Sequence, residues 1–407
     1  MSVPALPTGP TPTVPGAWRA RRLLFVSSVT TGGSGRSQRE LAATLLAAGR
    51  EVRFLVDAGD GAVLRRRVLG ELADVTARLD GRPAGRAIDR ARRRVGARPR
   101  VRTIDGLPHE VTVAPENAAP ALLRRWRPDV VVVSSIDRGT WRAVRRTCRR
   151  FGIPTALHLR EAPAVGHLSA GLVPDLLLAH SGSLVDDAAR LGYRARLVPS
   201  VVRVDPMDLP PSGAVALLVN PLPSHGVDLV GPLASARVDI PIVLQESWPL
   251  GSRDRQEVER LVRAHSNVTF RAYEPRPRTI FRDARLVLAP HRVDNRPRTV
   301  HEAQANGLPV VASDHPGLRE AVGDGGVLVP ADAGVDAWVR AVADVWDDAD
   351  RHMTLSERAR IHANRPEVRP EAVADRFGAL VDELVGGVGG DPGADQDSSM
   401  SPSAKRN

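Results

Sequence analysis

Pro290-His291-Arg292-Val293-Asp294-Asn295-Arg296-Pro297-Arg298-Thr299-Val300-His301-Glu302-Ala303-Gln304-Ala305-Asn306-Gly307-Leu308-Pro309-Val310-Val311-Ala312-Ser313 is the stretch that decides how this chain folds. The apolar run Leu286-Val287-Leu288-Ala289 before it reads as a strand buried on both faces, and Pro309 to Ala312 reads as the next one. Between them lie a loop with Asp294, Asn295 and three Arg, then a short helix starting near Thr299. Strand, loop, helix, strand is the repeating unit of a doubly wound α/β sheet. The free N–H groups at the helix start and the neighbouring guanidinium groups make an anion site. Glu302 on that helix offers a carboxylate to neutral hydroxyls. Phosphate beside hydroxyls suits a nucleotide sugar.

The same alternation extends outward. In the second half, strands are expected at Ala214–Val219, Ile242–Leu244 and Val268–Phe270, with helices around Arg255–Ala264 and Ala337–Trp346. In the first half, Leu23–Val26, Val52–Val56, Asp129–Val133, Pro154–Leu159 and Asp175–His180 read as strands, with a helix from Arg138 to Arg150. A proline-rich break, Pro206–Pro211, separates the halves. The predicted layout is a Pro-rich disordered lead (1–20), an N-terminal Rossmann-like acceptor domain (21–207) and a C-terminal Rossmann-like donor domain (212–366). An amphipathic helix (367–385) and a Gly/Ser/Asp-rich disordered tail (386–407) complete it.

The 407 residues are 42% hydrophobic, enough for two cores and too much for a disordered chain. A single cysteine, Cys148, excludes an internal disulfide framework and points to a reducing cytosol. No run approaches the roughly 20 apolar residues of a spanning helix. Residues 1–17 hold five prolines and no basic residue, unlike a secretory signal. The net charge of +10 is local: Arg65 to Arg102 contains 13 Arg against 4 acidic residues. Solvated helix faces and a contact with anionic lipid or a phosphorylated acceptor are competing readings of that stretch. Nucleic acid is disfavoured, because 14 aromatic residues in the whole chain leave few stacking platforms.

A second loop, Thr30-Thr31-Gly32-Gly33-Ser34-Gly35, follows the first predicted strand. Its glycines allow a close backbone approach to a ligand. It lacks the GxGxxG offsets of a dinucleotide-binding enzyme.

The stretch at 286–330 resembles the signature of the family 4 glycosyltransferases, which have the GT-B fold. That signature places an acid, seven residues, Glu-Ala, and then Gly-x-Pro-Val-Val-Ala. Asp294, Glu302-Ala303 and Gly307-Leu308-Pro309-Val310-Val311-Ala312 match it, and Gly317–Val322 is similar to the motif that follows. The glycine loop and Leu197-Val198-Pro199-Ser200 are similar to N-terminal features of the family. The resemblance implies two Rossmann-like domains facing each other across a cleft, with the last helix crossing back to the first domain. It implies retaining transfer of a sugar from a UDP- or GDP-sugar, with no metal and no cofactor. The acceptor would be lipid-linked, a glycan or a small molecule. Glu302 would hold the ribose, and Asp294 would contact donor-sugar hydroxyls. His158 would lie near the sugar. Gly33, Ser34, Gly35, Arg296, Arg298 and Thr299 would face the phosphates. The setting would be cytoplasmic, with peripheral contact at the inner membrane face as a further expectation.

Two departures matter. Asp294 stands where the family has Glu, about 1.5 Å shorter in reach. Asn220 and His225 stand where it places an Arg and a Lys to grip the diphosphate, so Arg296 or Arg298 is expected to take over. Asp294 has an alternative role, as a loop acid paired with Arg292 or Arg296. His158 has one as a core histidine. Two other functions fit the same build: a nucleotide-sugar epimerase, and a non-catalytic nucleotide-sugar binder.

Overall fold

The computed structural model describes residues 18–27, 32–57, 83–160, 165–166, 168, 173–204, 213–274 and 277–388. The first half contains β1 (Arg22–Ser27), α1 (Gly32–Ala47), β2 (Glu51–Asp57), α2 (Pro83–Arg94), β3 (Arg100–Ile104) and β4 (Leu107–Thr112). It continues with α3 (Pro115–Trp126), β5 (Val130–Ser134), α4 (Arg138–Arg150), β6 (Thr155–Leu159), β7 (Leu176–Ala179), α5 (Gly182–Arg190) and β8 (Arg196–Leu197). The second half contains β9 (Val215–Val219), α6 (Val230–Ala236), β10 (Ile242–Gln245), α7 (Ser252–Ala264), β11 (Val268–Arg271) and α8 (Pro277–Phe281). Then come β12 (Ala284–Ala289), α9 (Arg298–Ala305), β13 (Val310–Ser313), α10 (Pro316–Val322) and β14 (Gly326–Val329). The helices α11 (Val335–Trp346), α12 (Ala349–Ala363) and α13 (Pro370–Val388) complete the chain.

The strands form two sheets, ordered β3-β4-β2-β1-β5-β6-β7-β8 and β11-β10-β9-β12-β13-β14. All pairings are parallel except β3 with β4. Strand order reverses between β1 and β5 in the first sheet and between β9 and β12 in the second. Ligands of open α/β sheets bind outside the strand carboxyl ends at such reversals. The loops after β1, β9 and β12 therefore carry the residues of interest.

The interior strands β1, β5 and β9 are apolar and buried almost throughout, as two-sided burial requires. Apolar clusters cover both faces of each sheet. The last helix packs on the first domain, as expected: Val373, Phe377, Leu380 and Val381 join Leu23, Phe25 and Leu41 in one cluster. The Phe377 ring stacks 6.0 Å from that of Phe25. The buried Arg50 seals this joint with a two-pronged pair to Asp382, at 3.0 and 2.8 Å.

The structure adjusts several sequence-based bounds. Gly32 to Gly35 is the first turn of α1, not a loop. Within the predicted lead, Trp18 donates to the Ala48 carbonyl and Ala20 is fully buried. The last helix runs to Val388, past the predicted tail boundary, and residues 389–407 lie outside the described ones. Of the basic stretch Arg65–Arg102, residues 65–82 also lie outside them; the remainder forms α2 and the exposed edge strand β3. Cys148 is buried, and burial pushes its thiol up to about 12, so it stays protonated.

Candidate active site

The turn after β9 is built from Asn220, His225 and Gly226. Asn220 adopts φ +55°, a left-handed conformation that asparagine tolerates better than most side chains. Its carboxamide is spent on Ser247: Oδ1 accepts from the Ser247 amide at 2.8 Å, and Nδ2 donates to Ser247 Oγ at 2.7 Å. His225 Nδ1 lies 2.8 Å from the Asn220 carbonyl, and its ring stacks on His291 with centroids 4.4 Å apart. Burial lowers the pKa of His225, so it is neutral near pH 7. Gly226, at φ +73°, lies so close that a Cβ would collide with the Pro290 carbonyl. Of the two residues expected at the diphosphate, Asn220 thus ties this turn to the loop after β10 and His225 stacks it on the β12–α9 loop, and neither supplies positive charge.

That loop is anchored in turn. Asp294 is half-buried, and its Oδ1 accepts from the Gly317 amide at 2.7 Å, holding the start of α10. It pairs with neither Arg292, which goes to Asp228, nor Arg296, which lies 3.2 Å from Glu320. Asp294 Oδ2 has no protein partner among the described residues. His291 Nδ1 bonds Asn295 Oδ1 at 2.8 Å, and burial brings the His291 pKa down to about 3.

Helix α9 starts after Pro297 with no side chain capping its amides, and Thr299 sits half-buried in that first turn. Arg298 is buried there and spans the two domains. Its Nε donates to Glu302 Oε1 at 2.6 Å. Its Nη groups donate to both Glu40 oxygens at 2.8 and 2.7 Å and to the Val201 carbonyl at 3.1 Å. Burial alone would lower the pKa of this guanidinium, but Glu302 and Glu40 raise it above the ordinary value. Most of its donors, Nη1 to Ser37 at 3.3 Å included, are thus turned to protein oxygens. Arg36 Nη1 also comes within 4.0 Å of Glu302 Oε1. A Cβ on Gly33 would lie 3.4 Å from the Arg298 Cβ, and Ser34 Oγ lies 3.0 Å from Ser135 Oγ beyond β5. The structure therefore brings Gly33, Ser34 and Gly35 together with Arg298 and Glu302.

His158, at the end of β6, is buried, and its Nε2–H donates to the Val198 carbonyl at 3.1 Å. A carbonyl only accepts, so this bond fixes the proton on Nε2. Burial, then Arg160 and His180, hold its pKa well below the ordinary value, so the ring is neutral. Arg160 follows directly, and its Nη1 donates to Ser200 Oγ at 2.8 Å. His180 occupies the equivalent position after β7. Glu320 crosses the cleft, accepting from the Gly182 amide at the start of α5 at 2.7 Å.

Sequence reasoning did not single out Arg36, Glu40, His180 or Glu320. His180 carried a signal, since it ends an apolar strand as His158 does.

Residues 240–348 match the family described as "Glycosyl transferases group 1". Two curated relatives are named D-inositol 3-phosphate glycosyltransferase. The one from Corynebacterium aurimucosum is 30% identical over 252 residues, 58% of this chain and 48% of its own length. The one from Corynebacterium kroppenstedtii is 36% identical over 97 residues, 22% of this chain and 21% of its own. The chain thus spans about half or less of the curated relatives it matches. Among solved structures, sucrose-phosphate synthase from Thermosynechococcus elongatus superposes with TM-score 0.71 at 16% identity, covering 90% of this chain and all of that one. Anabaena Alr3699/HepE in complex with UDP and glucose gives 0.65 at 14%, covering 89% and 100%. The fold is GT-B, and the resemblance read at 286–330 is borne out over the C-terminal domain. No helix among the described residues is long and apolar enough to cross a membrane.

Proposed function

We propose that this chain is a glycosyltransferase that moves a sugar from a nucleotide-sugar donor to a hydroxyl acceptor, with retention and without a metal. The observation that carries this reading is the junction of Glu302 and the start of α9 with the Gly33–Gly35 turn of α1, at the strand reversals of both sheets. Glu302 Oε1 is held by Arg298, and its second oxygen can take a ribose hydroxyl. Asp294 Oδ2 takes a donor-sugar hydroxyl while Oδ1 stays tied to Gly317. The uncapped amides of α9 and the guanidinium of Arg296 stabilise charge growing on the diphosphate.

In the reaction, the acceptor oxygen forms its bond to the anomeric carbon on the face from which the diphosphate departs. The bond from that carbon to the diphosphate oxygen breaks. The leaving phosphate takes the acceptor proton, and the nucleoside diphosphate is released. His158 is neutral and packs beneath the sugar. The protein's contribution is alignment and electrostatic stabilisation.

The UDP and glucose held by HepE make UDP-sugars the first donors to try, with GDP-sugars second. The names of the curated relatives make a polyol phosphate the first acceptor, ahead of glycans and lipid-linked acceptors. The reaction belongs to the cytoplasm, with α2 and β3 turned to the anionic inner face of the membrane. A high-salt wash should then reduce membrane recovery of the full chain.

The test is nucleoside diphosphate release by the full chain with UDP- and GDP-sugars, in a chelator, against polyol phosphates. NMR would read the anomeric configuration of the product. We expect release only with acceptor present, and an α product from an α donor. Donor binding without release, for every pair tried, would replace this reading with that of a nucleotide-sugar binder. Asn220 and His225, both turned away from a phosphate grip, are the observation favouring that second reading.

A further inference from the structure

Three groups near the cleft each carry a buried polar atom that the protein leaves without a hydrogen bond. Arg160 follows β6, His180 follows β7, and Arg296 sits in the β12–α9 loop of the opposite domain. All three side chains are more than nine-tenths buried. Arg160 Nε, His180 Nδ1 and Arg296 Nε are buried side-chain atoms without a hydrogen bond. Only Gln304 Oε1 joins them among the described residues. Leu159 pairs with Ala179, so Arg160 and His180 leave adjacent strand ends, and Glu320 lies 3.2 Å from Arg296 Nε while accepting from the Gly182 amide two residues after His180, which puts the three in one neighbourhood.

Buried polar atoms are ordinarily satisfied, and an unpaired buried charge is costly. Arg160 touches no carboxylate among the described residues; its partner there is the Ser200 hydroxyl. The nearby carboxylates are committed: Glu40 and Glu302 to Arg298, and Glu320 to the Gly182 amide and, at 3.2 Å without hydrogen-bond geometry, to Arg296 Nε. What is missing is an anion with oxygens in several directions, which a phosphoryl group has and a carboxylate lacks.

We propose that Arg160, His180 and Arg296 form a buried receptor for a phosphoryl group where the two domains meet. The proposal rests on the transferase reading and deepens it. It assigns the positive charge missing at Asn220 and His225 to the first domain's strand ends, with Arg296 closing from the second. Two substrates carry such a group: the donor, in its diphosphate, and a polyol acceptor, as a phosphate ester.

The test is calorimetric titration of the full chain with inorganic phosphate, UDP and GDP, and with phosphate again in saturating UDP or GDP. Phosphate should bind the wild type, and Arg160→Met should weaken phosphate or nucleotide binding at least about tenfold. Arg160→Lys, which keeps the charge, should recover part of it. Competition between phosphate and nucleotide assigns the receptor to the donor; simultaneous binding assigns it to the acceptor. Without ligand, Arg160→Met should melt no lower than the wild type. A marked drop in that melting temperature would make Arg160 structural and overturn the proposal. So would phosphate and nucleotide affinities indifferent to Arg160. Arg160-dependent phosphate binding in a protein that transfers no sugar would instead defeat the transferase reading and leave the receptor standing.

Discussion

Arg298 and Arg160 are both buried at the same domain junction, and the protein treats them in opposite ways. Arg298 meets two carboxylates from two domains, Glu40 and Glu302, and its charge is favoured above the ordinary value despite burial. Arg160 meets a hydroxyl, and burial with the nearby charge of Arg298 lowers its pKa to about 10. Even so lowered, it stays protonated at neutral pH. The difference separates two jobs: a charge closed by the protein holds domains together, and a charge left open awaits a ligand.

The largest effect is expected where the closed charge is broken. Arg298→Met leaves the buried Glu302 with only Arg36, 4.0 Å away, and Glu40 with Arg36 alone, and should cost about 3 kcal/mol of stability in urea unfolding. A loss near zero would mean the junction is no more closed than Arg160 is. Glu302→Gln should be milder for stability, because Glu40 still holds Arg298. Donor KM should nevertheless rise roughly 10- to 100-fold, as the ribose loses a charged acceptor. Unchanged donor KM would show that Glu302 serves the joint alone.

Two histidines of the second domain extend the contrast to pH. Burial holds His291 and His301 at about 3, against an unfolded value near 6.5. Below that unfolded value the unfolded chain binds protons that the native one refuses. The stability these rings contribute is therefore present above about pH 6.5 and is lost as pH falls toward about 3. The loss should average about 1 kcal/mol per pH unit for each histidine, read from urea midpoints between about pH 7 and about pH 5, and approach about 1.4 at the acid end of that interval. A flat profile across that interval would show these rings to be hydrated.

Much of this was legible in the sequence because fully buried parallel strands must be apolar runs, as Leu23–Val26 and Val130–Val133 are. The Asp294–Glu302 spacing was legible because one loop and one helix contain it. The hairpin of β3 and β4 was not, since an exposed edge strand rich in Arg has no apolar signature. Its turn, Asp105-Gly106 with φ of 47° and 75°, was the available signal. The start of α1 was misread because three glycines oppose helix formation locally. Gly33 lies there against Arg298, whose Cβ would be in van der Waals contact, at 3.4 Å, with a Cβ added at Gly33. The Arg298–Glu40 pair joins residues 258 apart, and the Arg160, His180 and Arg296 group joins three separate elements. No local spacing encodes either.

The smallest expected effect is the most direct probe of the open charge. Ser200→Ala removes the hydroxyl that takes the Arg160 Nη1 bond. Ser200 is only half-buried, so water can replace the hydroxyl on that side, and the loss of stability should stay below about 1.5 kcal/mol. If Arg160 is held chiefly by Ser200, the variant should bind phosphate or nucleotide as poorly as Arg160→Met does. If a phosphoryl oxygen is the group Arg160 is built to meet, the variant should bind within a few-fold of the wild type, because the unpartnered Nε is untouched. Side-by-side calorimetry of the two variants decides between a guanidinium anchored by its own domain and one that waits for substrate.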